Sequence, residues 1–223
     1  MFAPSFVLDP TGFPMVWIEQ IDAYIHWYPV TKIQFERFLC DTPDSHFDAA
    51  WYDEINDLNP RVSPRNVRLD NYWQSFLTGI KPDEVERYAR WCGMEYSIPR
   101  LNDWFTCYQI LKSEDPIDSD PVKDVDLSPR TKDLLRNLGQ ASRSALHEVG
   151  YDRSLADQLL MRMGVMEWVE CQNQRSRWGG MGETFPRFHG ALFTPDYGQP
   201  SIPNNPDEIR LPHYGFRLIR RRR

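Results

Sequence analysis

Gly164-Val165-Met166-Glu167-Trp168-Val169-Glu170 is the stretch from which the fold is read. An apolar run, Leu159-Leu160-Met161 with Met163, leads into it, and Gly164 permits a close approach of backbone. Glu167 stands between Met166 and Trp168 in an otherwise apolar setting. Burying a carboxylate unpaired is costly, so an inward-facing Glu167 needs donors or a cation. Near the end of the chain, Tyr214-Gly215-Phe216-Arg217-Leu218-Ile219-Arg220 again sets a charge, Arg217, among apolar residues. An inward-facing Arg217 would need a carboxylate, and Glu167 is a candidate partner on chemistry alone.

The 223 residues are read as one domain, with net charge -6 and pI about 5.4. Bulk electrostatics therefore do not favour nucleic acid or an anionic membrane. Aromatics at 13% and 18 prolines suit a loop-rich globule with a large aromatic core. No run reaches the roughly 18 apolar residues of a membrane span, and Met1-Phe2-Ala3-Pro4-Ser5 carries no signal-peptide pattern. Cys40, Cys92, Cys107 and Cys171 form no CxxC and have no metal-like spacing. They read as reduced thiols in a cytoplasmic protein.

Loose alternation over 13–30 predicts strand pieces. Thr31-Lys32-Ile33-Gln34 fits a capping box opening a helix over 32–40. Residues 41–80 read as irregular loop, punctuated by Pro43, Pro60 and Pro64. Its aromatics either pin the loop to the core or form a stacking surface. Lys81-Pro82-Asp83-Glu84 starts a helix, continued by Val85, Tyr88, Ala89 and Cys92 and stopped by Gly93. Pro99 ends a strand before a helix over 101–112 through Trp104. The acidic run within 113–126 lacks EF-hand spacing and reads as solvated loop. Helices over about 128–139 and 140–149 follow. Gly179-Gly180 reads as a turn, and Arg220–Arg223 as a solvated, frayed tail, with phosphate or RNA contact as the alternative.

Several segments together, in this order, resemble the formylglycine-generating enzyme (sulfatase-modifying factor) family. Tyr28-Pro29-Val30-Thr31-Lys32-Ile33-Gln34-Phe35 is similar to its Y-E-V-T-N-x-Q-Y/F segment. Asp83, Tyr88, Ala89 and Trp91 match a helix motif, and Ile98, Pro99, Asp103 and Trp104 match Y-R-L-P-T-E-A-E-W. Met166-Glu167-Trp168-Val169 resembles V-W-E-W-V, Trp178-Gly179-Gly180 resembles R-G-G-S-W, and Gly215-Phe216-Arg217-Leu218 resembles G-F-R-L-V-R. The resemblance covers roughly 13–112 and 159–220. It implies an α+β, C-type-lectin-like fold: small twisted antiparallel sheets, a few helices and long coils. Residues 113–158 would be a helical insertion, and Glu167, Trp168, Trp104 and Arg217 structural core.

The same resemblance sets a chemical test. Formylglycine-generating enzymes hold Cu(I) with two cysteines shortly after R-G-G-S-W, because soft thiolates suit it. No cysteine lies between Trp178 and Arg223 here. Related sulfoxide synthases hold iron with histidines of a separate helical domain, and His26, His46, His147, His189 and His213 show no paired metal spacing. The family's calcium site would retain only Glu167, whereas calcium takes about six to eight oxygens. No catalytic residue, no metal site and no cofactor is therefore expected, with calcium held at Glu167 as the alternative.

The leading reading is a non-catalytic protein-binding module, by analogy a partner subunit in a bacterial regulatory or defence system. The alternative is a metal-dependent oxidase or sulfur-modifying enzyme with a rebuilt site. The partner surface is assigned to the loop over about 172–213, with Arg175, Arg177, Trp178, Phe185, Arg187, Phe188 and Tyr197. Aromatics and arginines are favoured at interface centres. The acidic insertion is a secondary contact.

Overall fold

Asp9 organises the first turn. Its Oδ1 accepts from the amides of Thr11 and Phe13 at 2.9 and 2.8 Å, joining β1 (Phe6–Leu8) to β2 (Pro14–Ile18). The computed structural model describes residues 6–42, 46–58, 77–112, 129, 166–172, 176–182, 200–212 and 214–222. Apart from Pro129, the expected helical insertion lies outside them.

The strand pieces expected over 13–30 are β2 and β3 (Ala23–His26), paired antiparallel with Trp17 opposite Tyr24. The capping box is formed: Gln34 Oε1 accepts the Thr31 amide at 2.9 Å, and α1 (Lys32–Asp41) follows. The reading of 41–80 as loop is corrected, because α2 (Ala49–Leu58) lies within it. Asp48 caps this helix, its Oδ1 accepting the Trp51 amide at 2.9 Å. Trp51 and Ile55, four residues apart, are buried on one face.

α3 (Pro82–Cys92) begins with proline at its first turn and Glu84 accepting the Lys81 amide at 2.9 Å. Beyond Gly93, at φ 140, come β4 (Tyr96–Ser97) and α4 (Leu101–Lys112), as expected. β5 (Met166–Glu170), β6 (Trp178–Met181), β7 (Tyr214–Gly215) and β8 (Ile219–Arg221) complete the strands.

One sheet has the order β1-β2-β3-β8-β4 with antiparallel neighbours, and the other the order β6-β5-β7. In the second, β5 runs antiparallel to β6 and parallel to β7. The architecture is mixed α+β. Two sequence readings change here. Gly179 and Gly180 are strand, not turn: a Cβ on Gly180 would lie 2.6 Å from the Tyr214 hydroxyl, and one on Gly179 2.8 Å from Pro200 Cβ. Close approach of neighbours, rather than a bend, demands glycine. Arg220 and Arg221 are not a frayed tail either: they lie in β8, between β3 and β4.

The principal core gathers α1, α2 and α3 against both sheets. Phe35 lies at its middle. Its ring stacks on Trp51 at 5.9 Å and on Tyr88 at 5.4 Å, and meets Phe38 edge-on at 5.1 Å. Fully burying one such side chain is worth about 1.5–3 kcal/mol, so this aromatic group is a main source of cohesion.

Candidate functional site

β5 sends Glu167 inward, and the segment between β7 and β8 sends Arg217 to meet it. Arg217 Nε donates to Glu167 Oε1 at 2.8 Å, and Trp104 Nε1 donates to Oε2 at 3.2 Å. Arg217 Nη1 donates to the carbonyls of Trp27 and His26 at 2.6 and 3.2 Å. Arg217 Nη2 has no acceptor among the described residues. Both charged side chains are buried, as is Trp168, whose Nε1 donates to the Ile80 carbonyl at 2.7 Å. Burial raises the Glu167 acid to about 7, against the opposing pull of Arg217 and Trp104. Burial also disfavours the Arg217 charge. A guanidinium does not deprotonate in a protein, so titration of this pair falls on Glu167. Of the four residues assigned to the core by the sequence, Glu167, Trp104 and Arg217 are brought together, while Trp168, the next residue along β5, is buried against Tyr214 and Ile80 instead.

A second buried cluster joins the first turn to the core. His26 Nε2 lies 3.1 Å from Asp9 Oδ2, which also accepts from Gln34 Nε2 at 3.1 Å. The Leu218 amide donates to His26 Nδ1 at 3.1 Å. Nδ1 is therefore unprotonated, and Nε2 carries the hydrogen shared with Asp9. Both ring nitrogens of His26 are thus engaged by partners within the protein. Burial alone would raise the Asp9 acid. The donors from His26, Thr11 and Phe13 outweigh it and hold the carboxyl below its ordinary range.

A third cluster ties the segment 200–212 to the helices. Arg210 grips Glu84 with two nitrogens, each at 2.7 Å, and reaches Glu54 at 2.6 Å and the Gly79 carbonyl at 3.1 Å. Trp51 Nε1 also donates to Glu84, at 2.7 Å. Burial would raise the Glu84 acid, but Arg210, the Lys81 amide and Trp51 together lower it. Sequence reasoning took Glu84 only as a helix-start acid and missed Arg210. The signal available was an arginine between Ile209 and Leu211 in a stretch rich in proline.

Of the residues assigned to a partner surface, Arg177 and Trp178 are described; Arg175, Phe185, Arg187, Phe188 and Tyr197 lie outside the described residues. Trp178 is a core residue, with 5% of its surface exposed. Arg177 covers it, the guanidinium lying 4.3 Å from the ring centroid. The same arginine bridges Glu170 and Glu86, each at 3.0 Å, while its side chain stays 57% exposed. Trp178 is thus packed in the core, and Arg177 lies over it with its charge paired to two carboxylates at the surface.

Two of the buried thiols are held from ionising. Cys92, Cys107 and Cys171 are buried and Cys40 is exposed; none of the four is in a disulfide. Burial, aided by the Asp103 charge, pushes the Cys107 thiol up to about 12, and burial with Asp9 raises Cys92 further. The thiolate is the nucleophile and metal ligand, so these two sulfurs are held in the inert form. Among the described residues, no group of three or more His, Cys, Asp or Glu is placed to hold a metal ion. None of their helices is long and apolar enough to cross a membrane. No family model, no curated protein and no solved structure matches this chain.

Proposed function

We propose that this chain is a non-catalytic protein-binding module on a scaffold resembling the formylglycine-generating enzymes, with a C-type-lectin-like fold. The observation that carries the reading is the enclosure of Glu167 by Arg217 and Trp104, at 2.8 and 3.2 Å. The carboxylate that would bind calcium in the resembled family is here a brace between β5 and the last strands. Asp9, His26 and Glu84 are likewise consumed by internal partners. The polar interior is spent on holding a shape, which suits a surface-presenting scaffold.

The partner surface is the segment 172–213, with Arg177 as its exposed cation, and the partner is a protein. A role as a subunit of a bacterial regulatory or defence assembly belongs to the same proposal. Its test has two arms. Incubation with copper and a cysteine-containing sulfatase-type peptide should yield no aldehyde by mass spectrometry; aldehyde formation would overturn the non-catalytic reading. Affinity capture from the native host should recover a protein in fixed ratio, lost when Arg177 is changed to glutamate.

A further inference from the structure

Trp17, Tyr24, Arg220 and Tyr96 stand opposite one another across β2, β3, β8 and β4. Residues paired in this way share a face of the sheet. Arg222, two residues past Arg220, returns to that face. Its guanidinium lies 3.9 Å from the Trp17 ring centroid and 5.9 Å from that of Tyr24. The two rings are 4.9 Å apart, tilted by 59°, and only partly buried.

The neighbouring arginines are neutralised. Arg220 lies 3.8 Å from Glu95, and Arg221 lies 2.6 Å from Asp103. Arg222 is exposed and has neither a carboxylate nor a hydrogen-bond acceptor among the described residues. Stacking on an indole uses the face of a guanidinium and leaves its in-plane N–H donors available. Those donors match an oxyanion, and the fixed plane favours a two-pronged carboxylate contact. A single-stranded nucleic acid would need several uncompensated cations along its backbone. Here, among the described residues, one such cation is flanked by two aromatic rings, on a chain of net charge -6. That combination suits one acidic side chain with an apolar neighbour.

We infer that Trp17, Tyr24 and Arg222 form a docking patch for an acidic segment of a partner protein, its carboxylate on Arg222 and an adjacent apolar side chain on the two rings. This inference does not depend on the segment 172–213. The test is fluorescence anisotropy with the full chain and a short labelled peptide of alternating glutamate and leucine. A glutamine–leucine peptide and a labelled oligothymidylate serve as comparisons. The glutamate peptide should bind, and Arg222→Glu should weaken it about tenfold or more, as exchanging an attraction for a repulsion does. Arg222→Lys, which keeps charge but loses the planar fork, should weaken it less. Arg222→Gln provides a milder loss should the charge reversal alter the melting temperature. Absence of binding, equal binding of the glutamine peptide, or indifference to both Arg222→Glu and Arg222→Gln would overturn the inference. Arg222-dependent binding of oligothymidylate in preference to the peptide would replace the protein occupant by a nucleic acid.

Discussion

Arg217 and Glu167, fifty residues apart, meet at 2.8 Å with neither side chain open to solvent. Leaving either partner alone would strand a buried charge. Glu167→Ala should therefore destabilise by on the order of 3 kcal/mol, and Arg217→Ala by a similar amount, in urea unfolding. Replacing both by apolar residues of like volume should cost less than the sum of the single changes, since the penalty lies in the orphaned charge. A melting temperature for Glu167→Ala equal to wild type would contradict the buried pair.

The carboxylates give stability a dependence on pH with two opposed signs. Asp9 and Glu84 are lowered from 3.8 and 4.5 respectively. Their contribution is present above those unfolded values and is lost as pH falls through the folded ones. Glu167 is raised from 4.5 to about 7. Its contribution is complete below 4.5 and is lost as pH rises through about 7. Thermal melts across this range should show Glu84→Gln flattening the acid limb and Glu167→Gln flattening the decline toward neutrality. Unchanged limbs in the two variants would refute the assignment.

Much of the local structure was legible in the sequence, because it depends on near neighbours. Thr31 with Gln34, and Lys81-Pro82 with Glu84, are caps spanning three residues. The Glu167–Arg217 pair was legible for another reason: two charges in apolar motifs each require a partner. Helix α2 was hidden because Pro43 and Pro60 flank it and its aromatics seemed scattered. The Asp48 cap and the Trp51–Ile55 spacing were the overlooked signs. Arg220 and Arg221 read as solvated because their acids, Glu95 beside β4 and Asp103 in α4, come from distant segments that only the fold brings close. The Asp9–His26 pair was equally invisible, since nothing near either residue announces the other.

Gly180 offers a steric test of the second sheet. A side chain there would collide with the Tyr214 ring, its nearest carbon and hydroxyl being side-chain atoms of a buried residue. Gly180→Ala should cost about 1–3 kcal/mol, as overpacking does, and Tyr214→Ala in the same chain should remove most of the added strain. If Gly180→Ala unfolds at the same denaturant concentration as wild type, the close packing of β6 on Tyr214 is wrong.

Arg210 holds 200–212 against α2 and α3 through Glu54, Glu84 and Gly79. Arg210→Ala leaves Glu84 buried and without its bidentate partner, so stability should fall by about 3 kcal/mol. Amide exchange should accelerate first in 200–212, before the strands of the five-stranded sheet. Uniform acceleration across the chain, or none, would show that Arg210 is not the tether.

The central claim is that the chain recognises a protein through 172–213. Hydrogen exchange of the chain alone and in complex with the protein captured from its native host tests this directly. Protection should concentrate in 172–213, with a lesser effect in 113–158. Protection confined to 13–112, with none in 172–213, would contradict the account.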